Sequence, residues 1–468
     1  VASRERGLRS RVLRIAWPAS FEFLIITSIV FADIIFLARL GTEVIAGVGV
    51  AVTVYRVFYE VFNSVAVAST TVVAQAVGAR NADLAHRGAA QSVLLAVFLG
   101  VISGGIGLLI ASYAMTLMGT DGAVKQHGLT YMRIHLLAAP LYAVAITGGG
   151  VLKGVGDTRT PMVFTLISSV FKVLLSWILI FGRTGFPELG ITGAALATLV
   201  AYGLNALMIS AKLSAGFDGI RLGLGEFMPD WGLLKRISTL AYPVAVERMV
   251  MRMGFVFYMR VVSALGTIAL AANQVALRLE SLSLTVGFGF TIAATTLVGQ
   301  AVGRRDLRGA SQSVRATLEF SVLVMASMTV ILILVRRWAV GIFMPDAEVE
   351  RLALACVVLG ALEMPALGIV FTYGGALRGA GDTRSPMVVA LVGTFLFRLP
   401  LVYLLGIRFG LGLKGIWYGT LLDWIGRALL IYLIFRRGSW KHKAFVDEEE
   451  IAGPNSARST APSTGKEV

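Results

Sequence analysis

KGVGDTRTPM (Lys153–Met162) and RGAGDTRSPM (Arg378–Met387) share seven of ten residues at an offset of 225. The same offset relates AWPASFE (Ala16–Glu22) to AYPVAVE (Ala241–Glu247), and RLGTEVIAG (Arg39–Gly47) to ALGTIALAA (Ala264–Ala272). AQAVGARNADLAHRGAAQS (Ala74–Ser92) answers GQAVGRRDLRGASQS (Gly299–Ser313) with four residues lost, and GITGAALATL (Gly190–Leu199) answers GLKGIWYGTL (Gly412–Leu421). Landmarks recurring in one order make the chain two tandem halves.

What lies between the landmarks is apolar. The 468 residues are 56% hydrophobic and 15% charged, with a mean hydropathy of +0.79; an ordinary soluble domain carries about 25% charged residues. Runs long enough to cross a bilayer recur, among them Ile15–Leu37, Val93–Met118, Leu166–Phe181, Ile191–Ile209, Thr317–Val335 and Val388–Leu405. The alternating segments of a membrane β-barrel are missing. The fold class is therefore an all-α polytopic membrane protein of twelve transmembrane helices in two pseudo-symmetric six-helix bundles. The expected spans are 12–38, 46–77, 88–118, 124–152, 161–182 and 190–214, then 235–262, 268–298, 309–343, 349–377, 386–408 and 413–436. The expected organisation is an N-lobe over 1–214, a cytoplasmic linker over 215–234, a C-lobe over 235–445 and a disordered tail over 446–468. The basic start followed by a long apolar run reads as the first span rather than a signal peptide. Six spans per half make the halves parallel. The excess of Arg and Lys in alternate loops and both tails predicts an inner-membrane protein with both termini cytoplasmic.

Several function classes drop out. The net charge of +15 is dispersed over short joints and tails, which gives no nucleic-acid surface. Cys356 is the sole cysteine, and His86, His127, His135 and His442 lack metal-ligand spacing. There is no phosphate-binding loop and no nucleophile motif, so no enzyme activity, cofactor or metal is expected.

The GDTR copies read as turns that close helical hairpins. Gly154, Gly156, Gly379 and Gly381 are expected to supply left-handed conformations, with Thr160 and Ser385 capping the next helix before Pro161 and Pro386, and Asp157, Arg159, Asp382 and Arg384 bonding the remaining free backbone groups. On this reading each copy marks a hinge rather than a site.

An acid at the bilayer centre costs about 2.5–3.5 kcal/mol and needs a reason. Glu60, Glu319 and Asp423 each have an arginine four residues away (Arg56, Arg315, Arg427), which can neutralise them locally. Glu22, Asp33, Glu247, Glu280 and Glu363 have none. Asp33 is flanked on both sides by Ile, Val, Phe and Leu. Desolvation there disfavours the charged form, which suits a group that alternately binds and releases a proton; an interhelical hydrogen bond is the structural alternative. Pro18 on the same helix, and Pro243 at its repeat position, provide hinges. Arg248 and Arg252 form a like-charge stripe, Lys172 and Arg398 are nearly repeat-equivalent, and Arg278 lies two residues before Glu280 on another face. These cations either pair with Glu247, Glu280 or Glu363, or line a cavity for an anion.

The tandem halves, the first helix carrying Pro18 and Asp33, the AQAVG/GQAVG turns and the two GDTR[TS]PM turns resemble the multidrug and toxic compound extrusion (MATE) family. LRLESLSLTVGFGFTIAATTLVGQAVG and LLDWIGRALLIYLIFRRG are similar to its bacterial DinF-like branch. The resemblance implies secondary antiport by alternating access, in which an amphipathic, often cationic drug leaves as H⁺ or Na⁺ enters, in a protein expected to act as a monomer. It implies that Asp33 is the ion-coupling acid of the first helix and that Glu247 lies near the seventh-helix acid of another branch. Where many members carry Asn and Asp in the fifth helix, this chain has Lys172 and Ser176. Lys172, Arg248, Arg252 and Arg398 favour the alternative, a flippase for lipid-linked sugars or another anionic amphiphile.

Overall fold

The computed structural model describes residues 2–216, 223–342 and 346–443, so the expected tail and part of the linker lie outside the described residues. The first half contains α1 (Ala2–Ala38), α2 (Thr42–Gly78), α3 (Ala82–Leu117), α4 (Gly122–Leu137), α5 (Ala139–Val155), α6 (Arg159–Phe181) and α7 (Gly190–Ala215). The second contains α8 (Trp231–Ser263), α9 (Thr267–Gly303), α10 (Leu307–Gly341), α11 (Ala347–Gly379), α12 (Arg384–Val392), α13 (Leu399–Tyr403) and α14 (Gly412–Arg437). Two π-helical stretches, Gly393–Arg398 and Leu404–Arg408, join α12 and α13 into one span ending at Arg408.

All twelve expected spans are present as helix. Among the described residues ten helices are long and apolar enough to cross a bilayer, and the bent pair α4–α5 makes an eleventh. The twelfth is α8, which is as long as its neighbours but is interrupted by Glu247, Arg248 and Arg252. The fourth span departs from expectation. It breaks at Ala138 with a bend of 51°, where Pro140 removes a backbone donor from the first turn of α5. The repeat-equivalent Pro365 sits inside an unbroken α11. Pro18 and Pro243 likewise lie within continuous helices.

The repeat is written into the backbone as well. Arg80 and Arg305, 225 apart, both adopt positive φ (57° and 59°), an unusual state for arginine. In each case an N-cap follows at once: Asn81 accepts from the Leu84 amide at 2.9 Å and Asp306 from the Gly309 amide at 2.7 Å.

Within the GDTR turns the structure corrects two expectations. Only Gly156 (φ 106°) and Gly381 (φ 91°) are left-handed; Gly154 and Gly379 are helical. The capping acceptors are Asp157, which takes the Arg159 and Thr160 amides, and Asp382, which takes the Ser385 amide. A carboxylate accepts an amide hydrogen bond more strongly than a hydroxyl does, and the aspartates stand two residues before the first residue of each helix.

The lobes meet in the half of the bundle that holds the chain ends. There Val12, Ile15 and Ala16 of α1 pack on Phe290, Ala293 and Leu297 of α9, and Leu233, Ile237 and Leu240 of α8 pack into the first-lobe core. At the other end the buried clusters belong to one lobe each.

Candidate functional site

The sequence puts repeated polar residues near the ends of α2 and α9, and the fold crosses these helices. Thr71 of α2 donates to the Arg378 carbonyl (3.1 Å), and its repeat equivalent Thr296 of α9 donates to the Lys153 carbonyl (2.8 Å). Gln75 donates to the Gly379 carbonyl (2.8 Å), and Gln300 to the Gly154 and Val155 carbonyls (3.2 and 2.9 Å). The crossing is close: a Cβ on Gly78 would meet the Gln300 carbonyl oxygen at 2.2 Å, and one on Gly303 the Gln75 oxygen at 2.0 Å. Each AQAVG/GQAVG helix end therefore grips the GDTR turn of the opposite lobe. A two-fold latch closes the face on which the described residues begin and end.

The same turns hold buried charge. Lys153 donates to Glu22 at 2.9 Å with both side chains almost wholly buried, and Arg378 pairs with Glu247, the repeat equivalent of Glu22. One oxygen of each glutamate is left without a partner, Oε2 in both cases. The reading of the turns as hinge markers is thus too narrow, since the first residue of each copy neutralises the glutamate four residues after Pro18 or Pro243.

Above the latch, a cavity of about 490 Å³ is walled mainly by the first lobe and closed on one side by Arg248, Arg252 and Phe288 of the second. Asp33 lines it and is paired with Lys172 of α6. The pair joins the two residues that the sequence singled out separately. Ser176, one turn beyond Lys172, is buried and does not line the cavity. Glu60 corrects another expectation. Its partners are Arg248 (3.0 Å) and Arg252 across the lobe boundary, each on a different carboxylate oxygen, so it is not paired with Arg56. Two arginines spaced by four on α8 take one oxygen each. This also places Arg248 and Arg252 away from the Glu247, Glu280 or Glu363 partners expected for them.

The remaining candidates gather in the second lobe. Arg398 donates to Asp423 at 2.8 Å and Arg427 to its other oxygen at 2.6 Å, and both guanidinium groups lie 5.1 Å from the Trp424 ring. The local Asp423–Arg427 pair is present, and Arg398 joins it. The π-helical turn brings Gly393 against Arg427, where a Cβ would lie 2.2 Å from Nε. Glu280 and Glu363 are both buried in the second lobe, and Glu363 Oε2 has no hydrogen-bond partner. Arg278 is exposed and takes no ion pair among the described residues, so it stands outside this network. Glu319 keeps Arg315 (3.2 Å) and also binds Arg9 (3.0 Å).

Sequence reasoning missed Lys153 and Arg378 as ion-pair partners. Their signal was available: Glu22 and Glu247 recur at the same offset as the two cations. It also missed the tyrosine cluster of the cavity. Tyr59 stacks on Tyr142 (4.3 Å), which contacts Tyr202 (5.1 Å), and these rings come from three helices that only the fold brings together.

Two six-span lobes, a latch between them and a polar cavity at their boundary define a membrane transporter architecture. The MatE family profile matches residues 18–178 and 243–404, one match per lobe, and the chain belongs to this family of multidrug and toxic compound extrusion transporters. It is 29% identical over 444 residues to a probable multidrug resistance protein NorM of Thermotoga maritima, covering 95% of this chain and 96% of the relative. In fold it is similar to an outward-facing multidrug resistance MATE family transporter of the MOP superfamily (TM-score 0.87, 21% identity, 93% and 97% of the two chains covered). It is also similar to a MATE structure described as the bent conformation (TM-score 0.86, 22% identity, 93% and 98% covered). The protein is a multi-pass membrane transporter of a drug-efflux family and not an enzyme.

Proposed function

We propose that the chain is an inner-membrane antiporter, with both termini cytoplasmic, that exports an amphipathic cargo as protons enter. The observation that carries this reading is the Asp33–Lys172 pair in the cavity wall. A proton and the Lys172 ammonium compete for one carboxylate. Protonating Asp33 frees Lys172 and changes the charge that cargo meets, so ion and cargo bias the same equilibrium in opposite directions. Sodium would need several oxygens converging on it, and at Asp33 an ammonium already holds the carboxylate, which favours H⁺ over Na⁺.

Alternating access follows from the latch. The termini-bearing face is closed by Thr71, Gln75, Thr296 and Gln300, and inward opening requires these bonds to part together. Pro18 and Pro243 lie in the two helices, α1 and α8, that cross between lobes. Each removes a backbone bond where such a helix could bend, and the bent conformation described for the structural relative is in keeping with this. The second reading, flipping of a lipid-linked sugar or another anionic amphiphile, draws on the basic side chains of the cavity.

The test uses purified protein in liposomes with amphipathic fluorescent dyes of either charge. Accumulation driven by an imposed proton gradient, unchanged by a sodium gradient and lost in Asp33→Asn, is the expected result. No dye moved by either gradient would contradict antiport and favour the flippase.

A further inference from the structure

The cavity wall carries five basic side chains, Arg56, Lys153, Lys172, Arg248 and Arg252, against three carboxylates, Glu22, Asp33 and Glu60. Every carboxylate is already engaged: Glu22 by Lys153, Asp33 by Lys172, and Glu60 by two arginines. The double engagement of Glu60 has a consequence for its own helix. Arg56, one turn earlier on α2, would be its natural partner, but the arginines from the second lobe occupy both oxygens. Arg56 is left exposed to the cavity with no ion pair among the described residues. A cation placed here finds no free carboxylate and an excess of two positive charges. An anion finds a guanidinium with its fork of donors unused. One turn along from Arg56, Tyr59 begins the run of rings through Tyr142 and Tyr202, an aromatic wall beside the charge in which Tyr59 and Tyr142 are stacked and Tyr202 is tilted.

We propose that the first-lobe cavity binds an amphipathic aromatic anion, with Arg56 taking the anionic group and the Tyr59–Tyr142–Tyr202 wall taking the ring system. This inference rests on the charge and shape of the cavity and not on the antiport reading, because a proton on Asp33 leaves Lys172 free to attract an anion rather than repel it. Charge movement separates this cargo from the cationic drug that the resemblance implies. Exchange of a monovalent cation for one proton is electroneutral, but export of an anion with entry of a proton moves two charges inward.

The experiment uses the full chain in nanodiscs of phosphatidylcholine and two xanthene dyes of opposite charge, fluorescein and rhodamine 123, titrated by fluorescence anisotropy. Fluorescein is expected to bind saturably and about tenfold more tightly than rhodamine 123, and Arg56→Gln to weaken it by about tenfold while Arg56→Lys retains most of the affinity. Tighter binding of rhodamine 123, or fluorescein binding indifferent to Arg56→Gln in protein whose rhodamine 123 binding is intact, would overturn the proposal. Adding phosphatidylglycerol to the disc separates the sources of the anion. Competition that depends on Arg56 supports the proposal with a lipid headgroup as ligand; undisturbed fluorescein binding supports it with a soluble anion. In liposomes, Arg56-dependent binding without gradient-driven movement would defeat the antiport reading and leave this inference standing. Proton-driven movement of rhodamine 123 without fluorescein binding would do the reverse.

Discussion

Asp33 in the first lobe and Tyr258 in the second occupy the same repeat position, 225 residues apart. Around Asp33 the lobe keeps a cavity whose wall carries Lys172 and the ion-paired carboxylates Glu22, Asp33 and Glu60. Around Tyr258 the polar partners are buried. The Tyr258 hydroxyl donates to Asn273 Oδ1 at 2.6 Å, the Trp417 indole donates to the same oxygen at 3.1 Å, and nearby Asp423 is fully buried between two arginines. One ancestral bundle has been used twice. In the first copy the polar residues line that cavity, and in the second Tyr258, Asn273, Trp417, Asp423, Arg398 and Arg427 partner one another away from it. The shared parts, the latch and the Glu22–Lys153 and Glu247–Arg378 pairs, are those the two copies need in order to meet.

The largest expected effect tests whether the second lobe is the rigid partner. Asp423→Asn leaves Arg398 and Arg427 without a counter-charge in the interior, and should cost about 3–5 kcal/mol in unfolding measured in detergent. Asp33→Asn, beside a hydrated cavity, should cost roughly 1 kcal/mol. Equal losses would erase the distinction between the lobes. Next comes the latch, where symmetry predicts equality. Gly78→Leu and Gly303→Leu should each destabilise the closed face by about 1–3 kcal/mol, read as increased labelling of a cysteine placed near the crossing. A clear difference between the two would break the two-fold account.

A smaller contrast concerns the paired prolines. Pro140→Ala restores a donor at the bend and should straighten the fourth span and slow transport. Pro365→Ala, in a helix that is already continuous, should shift stability by under about 1 kcal/mol and leave transport intact. The smallest effect lies at the linker, whose described residues dock on the first lobe: Gln91 holds the Glu226 and Met228 carbonyls and the Asp230 amide. The Asp230 carboxyl is held below the usual carboxylate range, first by the Leu233 amide it caps and then by Arg87. Its contribution is therefore present above about pH 4, the ordinary value for Asp, and fades as pH falls through the lower folded value. Asp230→Asn should flatten that part of the stability profile.

The twelve spans, the repeat and the paired turns were legible in the sequence because each rests on local composition or on self-similarity. Asp33 and Lys172 were legible one at a time, as charges without a helical-turn partner. Their pairing was not, because α1 and α6 meet only after the bundle forms. Glu60 shows the limit most clearly: a good i, i+4 partner on its own helix loses to two arginines brought from the other lobe. The break at Ala138 escaped for a related reason, since Pro140 and Pro365 look alike in sequence and differ in what packs around them.

The account turns on which lobe carries the proton. The direct measurement is alkalinisation reported by a pH dye trapped inside liposomes when cargo is added outside, since entering cargo exchanges for protons that leave, comparing wild type, Asp33→Asn and Glu280→Gln. Cargo-dependent proton movement that disappears in Asp33→Asn and persists in Glu280→Gln is the predicted result. Loss in Glu280→Gln with retention in Asp33→Asn would contradict it and move the coupling site to the second lobe.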